Sequence, residues 1–287
     1  MKFERTKVSG FENALYGARN PMNSWNRSDS KYGLNCSKTD VDFYEVVNAY
    51  YEKLNTSDDV VGPWLCKNGR RYENHDYYEY TYIGPNDLDL AQRLCKAGPE
   101  HRKFLRQIQV SVDITAPIYL FKELDTYKVG TTANSTSTMH KLASTPITLD
   151  CFETDDYEPK LIFEEGTDDR GDSPWDYHIA VEDVIGEGED NVYWSETLIG
   201  FLESLRLKYN ETKDKRYLKE LIRWLPESWL QTRMITMNYE NVRNICAQRQ
   251  GHRLTEWASF IAWARKLPYA DALIFDEDIK AFLKNIV

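Results

Sequence analysis

The sequence has few cysteines and no pattern among them. Its five, Cys36, Cys66, Cys95, Cys151 and Cys246, are odd in number and scattered, with no Cys-x-x-Cys pair. That argues against a disulfide framework or a clustered zinc site, and fits reduced thiols. An excess of positive charge is missing as well. The 36 Lys and Arg stand against 46 Asp and Glu, a formal net charge of −10, whose long-range field repels nucleic-acid phosphates. Non-specific nucleic-acid binding is therefore not expected, although a local basic pocket for a mononucleotide remains open. No stretch approaches the ~18 apolar residues of a membrane span. The opening MKFERTKVSGFEN has no apolar core of the signal-peptide kind. The expectation is a soluble, unexported, cytoplasmic protein.

Familiar catalytic signatures are absent too. There is no G-x-G-x-x-G after a strand, no G-x-x-x-x-G-K-S/T, no H-E-x-x-H and no G-x-S-x-G. The histidines His75, His101, His140, His178 and His252 lack metal-ligand spacing, so no metal site is expected. Arg170-Gly171-Asp172 lies in an acidic loop and reads as a chance tripeptide.

What is present suits a folded chain. Hydrophobic residues make up 41% and aromatic ones 13% of 287 residues, ample for a core. We expect a single domain over residues 1–287, with a strongly acidic insertion at about 152–192. Residues 1–38 read as loops with at most one short strand, and residues 56–85 as a loop or hairpin excursion. The spacing of Phe43, Val46, Val47, Tyr50, Tyr51 and Leu54 predicts a helix over 40–54, with Asp40 as its cap. A second helix, capped by Asn86 or Asp87, carries Leu88, Leu90, Ala91 and Leu94 and stops at Gly98-Pro99.

The cleanest strand follows. Ile108, Val110, Val112 and Ile114 alternate with Gln109, Ser111 and Asp113, giving one buried and one wet face. Pro117 opens a short helix. Beyond Trp194 the pattern is helical to Pro226, a short strand spans roughly 233–237, and helices follow to Gln250, over 254–267 and in the tail DEDIKAFLKNIV. Trp257, Phe260, Ile261 and Trp263 point inward.

Between the Pro-led helix and residue 142 lies a polar ribbon. Residues 126–138 hold five Thr and two Ser, with Lys128 near the start. Such a run is either a solvated loop or a surface making many hydrogen bonds to a polar ligand such as a nucleotide. Arg243, Arg249, His252 and Arg253 form the best local basic group. Arg249 can offset a helix dipole, or act as a planar fork for phosphate or carboxylate. Asn238 and Asn244 can be a helix cap and a solvated amide, or amides reading a planar heterocycle. His101, taken alone, reads as an exposed turn residue.

These pieces together resemble the flavin-dependent thymidylate synthases, as a divergent, phage-like member. The first block runs without a gap from His101 to Leu142. His101 falls on the family's turn histidine, Pro117 on its helix-opening position, and Thr126-Tyr127-Lys128 on its Arg-His-Arg triplet. Thr136 takes the place of a serine beside the pyrimidine, and Thr138 that of a phosphate-holding arginine. In the second block, Leu225-Pro226, Asn238, Asn244, Arg249 and Glu256 keep the family's order. The resemblance implies an α+β fold, a twisted, mainly antiparallel sheet flanked by helices, assembled as a homotetramer. It implies FAD as cofactor, with NADPH and methylenetetrahydrofolate as co-substrates and dUMP or a related nucleotide as substrate, methylated at C5. Its cofactor-facing residues are then His101, Thr126, Tyr127, Lys128, Asn238 and Asn244. Its substrate-facing residues are Asn134, Ser135, Thr136, Thr138 and Arg249. Replacing the family's arginines with Thr126, Lys128 and Thr138 removes up to three charge-assisted contacts, each worth on the order of 1.5–3 kcal/mol. That change sets an alternative beside the enzyme: a non-catalytic nucleotide-binding or assembly protein on the same scaffold.

Overall fold

The computed structural model describes residues 1–35, 65–72, 75–137, 141–155, 184–185 and 192–277. The expected helix over 40–54, most of the acidic insertion, Thr138 and all but the first residues of the tail helix lie outside the described residues.

The chain opens with strand β1 (Lys2–Ser9), helix α1 (Phe11–Arg19) and strand β2 (Lys31–Asn35). This corrects the expectation of loops over residues 1–38. Along β1 only Val8 is buried, so an edge strand leaves no apolar alternation to read. Strands β3 (Leu65–Tyr72) and β4 (His75–Tyr82) form an antiparallel hairpin, and β2 pairs antiparallel with β4. Helix α2 (Pro85–Ala97) follows, then a 3₁₀ turn over Arg102–Gln107 and strand β5 (Gln109–Pro117).

Helix α3 (Ile118–Leu124), strand β6 (Thr132–Ser135) and the two-residue strands β7 (Val184–Ile185) and β8 (Val192–Tyr193) come next. The last third holds α4 (Trp194–Thr212), α5 (Lys215–Trp224), β9 (Leu230–Asn238), α6 (Tyr239–Arg249), α7 (Glu256–Arg265) and α8 (Ala270–Leu273). The fold is α+β, with a four-stranded antiparallel sheet in the order β1-β5-β9-β6 flanked by helices.

The chain divides into two compact units. The first comprises Met1–Ile114, Leu124–Asn134 and Arg233–Val287. Its core confirms the alternation expected of β5, for Ile108, Val110, Val112 and Ile114 have no exposed surface. Removing such side chains from water stabilises by about 1.5–3 kcal/mol each. Asp113, expected on the wet face, is instead buried, because its carboxylate meets the Arg5 guanidinium arriving from β1. Trp257, Phe260 and Trp263 are buried as expected, whereas Ile261 is only half-buried.

Helix α2 begins two to three residues before the caps expected for it. Gly84 precedes it and Pro85 opens it, and the carboxylate of Asp29 accepts from the Asn86 and Asp87 backbone N–H groups at 2.8 and 3.1 Å. The cap therefore comes from a distant loop. Asp87 itself turns inward and receives Arg19.

The second unit comprises Thr115–Glu123 and Ser135–Thr232. Its core joins Leu142, Ile147 and Phe152 to Leu202 of α4 and Leu221 of α5. Helix α4 also holds the 143–147 segment by polar bonds. Asn210 Nδ2 donates to the Ala143 carbonyl at 2.8 Å, and the Ile147 N–H donates to Glu203 at 2.9 Å. Pro117 closes β5 rather than opening a helix. The Ile118 and Tyr119 amides at the start of α3 are satisfied by the Trp229 and Glu227 carbonyls at 3.1 and 3.2 Å.

Candidate functional site

Strand β9 delivers the chain to helix α6, and the junction is built by side chains. Asn238 is the N-cap, its side chain accepting from the Asn241 backbone N–H at 3.0 Å, while Asn241 Oδ1 returns to the Asn238 N–H. This is a reciprocal capping box with asparagine at both ends. The helix is anchored below by Tyr239, fully buried, whose N–H donates to Ile108 and whose hydroxyl donates to Pro268 at 2.6 Å. Both anchors hold the start of α6, and Arg249 sits at its far end.

The same capping box captures part of the polar ribbon. Asn241 Nδ2 donates to the Val129 carbonyl at 2.7 Å. Gly130 has φ +75°, and a Cβ there would lie 2.6 Å from Asn238 Nδ2. A side chain at 130 would face both the left-handed backbone penalty and a collision with the cap. Gly130→Ala is therefore expected to cost about 1–2 kcal/mol of stability, read as a lowered urea midpoint. An unchanged midpoint would show that the turn is not locked to α6.

At the C-terminal end of α6 the ribbon meets Arg249. The Arg249 Nε–H donates to the Tyr127 hydroxyl at 3.1 Å, and that hydroxyl donates to Gln248 Oε1 at 3.0 Å. The guanidinium lies over the Trp257 ring at 4.8 Å and beside the Tyr127 ring at 5.7 Å. Its Nη1 stands 3.1 Å from His252 Nε2, while the Leu254 N–H lies 3.2 Å from Nδ1 of the same ring. A neutral imidazole accepts at one nitrogen only, so His252 satisfies one of these two donors. Gly251, at φ +70°, makes the turn that brings His252 and Trp257 back onto the helix end. A cation lying over one aromatic face and beside a second ring, with directed bonds to its edge, suits recognition of an anion such as phosphate.

The other expected residues fall into several places. His101 is exposed in the turn before β5, its N–H donating to Gly98. Its neighbour Arg102 pairs with Glu240 at 2.9 Å and reaches Asn244 Oδ1 at 3.5 Å, so Asn244 faces a guanidinium. Thr126 and Lys128 are exposed beside Tyr127, and Asn134 is exposed on β6. In the second unit Ser135 is exposed, and Thr136 is stitched to β9. The Thr136 N–H donates to Thr232 at 2.9 Å, the Thr232 N–H donates to Thr136 Oγ1 at 3.3 Å, and Gln231 Nε2 donates to the Thr136 carbonyl at 2.9 Å.

The basic group of α6 separates. Arg243 binds the Leu273 and Ile274 carbonyls and Asp276, a clamp on the end of α8, and Arg253 is exposed. Burial pushes the Cys95 and Cys246 thiols up to about 12, so neither is a thiolate near neutral pH. Among the described residues no group of three His, Cys, Asp or Glu can hold a metal ion, and no helix is long and apolar enough to cross a membrane.

Sequence reasoning missed Asn241, Gly130 and the second role of Trp257. The Asn-x-x-Asn spacing at the start of α6 is a capping-box signal, legible in principle. Trp257 reads as a core residue, and it is one; its outer face against Arg249 leaves no periodic trace.

Comparison with known proteins matches the sequence to neither a family model nor any curated protein. Among solved structures, the chain is similar to a flavin-dependent thymidylate synthase from Helicobacter pylori complexed with FAD and dUMP. Identity is 15%, covering 85% of this chain and 98% of that one, with a TM-score of 0.44. A second structure of the Helicobacter pylori protein with FAD and dUMP gives 13% identity, 86% and 98% coverage and a TM-score of 0.44. A UMP/dUMP methylase from Streptomyces cacaoi, bound with 5-Br dUMP, gives 17% identity, 88% and 97% coverage and a TM-score of 0.40.

Proposed function

We propose that this protein binds a pyrimidine deoxynucleotide monophosphate, dUMP or a related nucleotide, through Arg249. The observation that supports it is the ordered guanidinium between Tyr127 and Trp257, at the position to which the family resemblance assigns the nucleotide. Asn134, Ser135, Thr136 and Thr138 are the further residues the resemblance puts beside the substrate. The reaction it attaches to such a site is transfer of a one-carbon unit from methylenetetrahydrofolate to C5 of the pyrimidine. FAD would supply the hydride there, with NADPH as its reductant. Assembly as a cytoplasmic homotetramer belongs to the same proposal.

The residues fit the nucleotide better than they fit a flavin. Asn238 closes a capping box, and Asn244 faces Arg102. In the triplet only Lys128 brings a cation, and the Tyr127 hydroxyl is engaged with Arg249 and Gln248. A flavin would be left with His101, Thr126 and Lys128 as exposed partners. This favours the second reading, a non-catalytic nucleotide-binding or assembly protein on the same scaffold.

One preparation distinguishes the two. Purified protein is expected to bind dUMP in calorimetric titration, and its absorbance spectrum separates the readings. Flavin bands, with growth rescue of a thymidine-requiring bacterium, support the enzyme. A colourless protein that takes up no added FAD but binds dUMP supports the non-catalytic reading. Failure to bind dUMP with or without FAD would sink both.

A further inference from the structure

We infer that Tyr127 is a positioning residue for Arg249: it fixes the guanidinium in the orientation that receives the nucleotide phosphate. The inference rests on the nucleotide-binding reading above and assigns to Tyr127 a task other than contact with a cofactor.

The hydrogen bonds define the role. A tyrosine hydroxyl has one proton to give and lone pairs to receive. Here the proton goes to Gln248 Oε1 at 3.0 Å, which leaves the oxygen to accept from Arg249 Nε at 3.1 Å. Nε is the inner corner of the guanidinium, so a bond there directs the plane of the group. In the tautomer that carries its proton on Nδ1, His252 Nε2 accepts from Nη1 at 3.1 Å and gives a second in-plane anchor, and the Trp257 ring at 4.8 Å limits tilt out of that plane. Two in-plane anchors and one face hold an otherwise flexible side chain and remove its rotamer freedom. That ordering precedes binding, so it does not oppose binding.

The residue type matters. Phenylalanine keeps the ring beside the cation but offers Nε no acceptor. The turn that carries Tyr127 is itself tied to the opposite end of α6, through Asn241 Nδ2 and the Val129 carbonyl at 2.7 Å. The hydroxyl is thus delivered to Arg249 by a segment fixed to the same helix. Trp257, only 1% exposed, belongs also to the core, so its removal would confuse folding with positioning. Tyr127 is half-exposed and Gln248 exposed, which makes both open to clean substitution.

The test compares dUMP with deoxyuridine, which lacks the phosphate, by calorimetric titration of the full chain. Tyr127→Phe is expected to weaken dUMP binding about tenfold, as loss of one hydrogen bond to a charged group does, and to leave deoxyuridine affinity unchanged. In an Arg249→Lys background, Tyr127→Phe should add nothing, because the hydroxyl acts through the guanidinium. Gln248→Ala, which unpins the same hydroxyl, should give a smaller loss of the same kind, and serves if Tyr127→Phe does not fold. Equal dUMP affinity in wild type and these variants overturns the inference and leaves the nucleotide reading intact. So does a loss shared by deoxyuridine, or one that persists in the Arg249→Lys background. A wild-type protein that does not bind dUMP overturns the reading, and the inference with it.

Discussion

Replacing Asp87 by alanine is expected to lower stability by about 3–5 kcal/mol, the cost of leaving a buried guanidinium without its counter-charge. Arg19 Nε donates to Asp87 Oδ1 at 2.5 Å, and both side chains are almost wholly buried, at 5% and 1% exposure. The other carboxylate oxygen accepts from the Ser28 hydroxyl at 2.7 Å, the Ser30 hydroxyl at 2.5 Å and the Ser30 N–H at 3.2 Å. Arg19 in turn reaches the Ser24 and Arg27 carbonyls, both at 3.2 Å. One carboxylate therefore ties α1, the loop at 24–30 and the first turn of α2. Chemical denaturation followed by far-ultraviolet circular dichroism measures the loss. A change under 1 kcal/mol would mean the network is worth no more than an exposed pair.

The same carboxylate gives a pH signature. Burial alone would raise its pKa, but hydrogen bonds from Ser28, Ser30 and Arg19, together with the Arg19 charge, outweigh that and hold it below the ordinary 3.8. A group depressed in the folded state adds stability above its unfolded value and loses it as pH falls through the folded one. The stability gap between wild type and Asp87→Asn should thus be full at neutral pH. It should narrow as pH drops below 3.8.

Arg249→Ala is expected to weaken dUMP binding about a hundredfold, and deoxyuridine binding far less, by loss of two charge-assisted bonds to phosphate. Arg249→Lys should recover only part of the loss. Lysine restores the charge but not the planar fork, and it cannot donate to Tyr127, meet His252 and lie over Trp257 in one plane. Calorimetric titration with both ligands checks this. Equal losses for the two ligands would show that Arg249 supports the site's shape rather than the phosphate.

The fold was legible where one residue type recurs at the period of its element. The alternation from Ile108 to Ile114 gave β5, and the apolar spacing after Trp194 and around Trp257 gave α4, α5 and α7. It was illegible where exposure erases the pattern. Strand β1 buries only Val8, so its sequence looks like a loop. The start of α2 was misread because its cap, Asp29, lies 57 residues from Asn86; no local window contains both.

The candidate site divides the same way. Arg249 at a helix end is a local fact, set within one turn by the Gly251 break, and the sequence alone determined it; for Asn238 the sequence offered a cap as one of two readings, and the capping box decided it. The sequence alone also determined the polar character of residues 126–138, since hydroxyl-rich chain has no apolar face to bury. The tertiary structure alone decided which of those polar residues meets which cation. Tyr127 and Arg249 are 122 residues apart, and their contact depends on the Gly130 turn fitting against the α6 cap and on Gly251 returning Trp257 to the helix end. Side-chain hydrogen bonds reach about 3 Å, so only a completed fold can bring such groups into register.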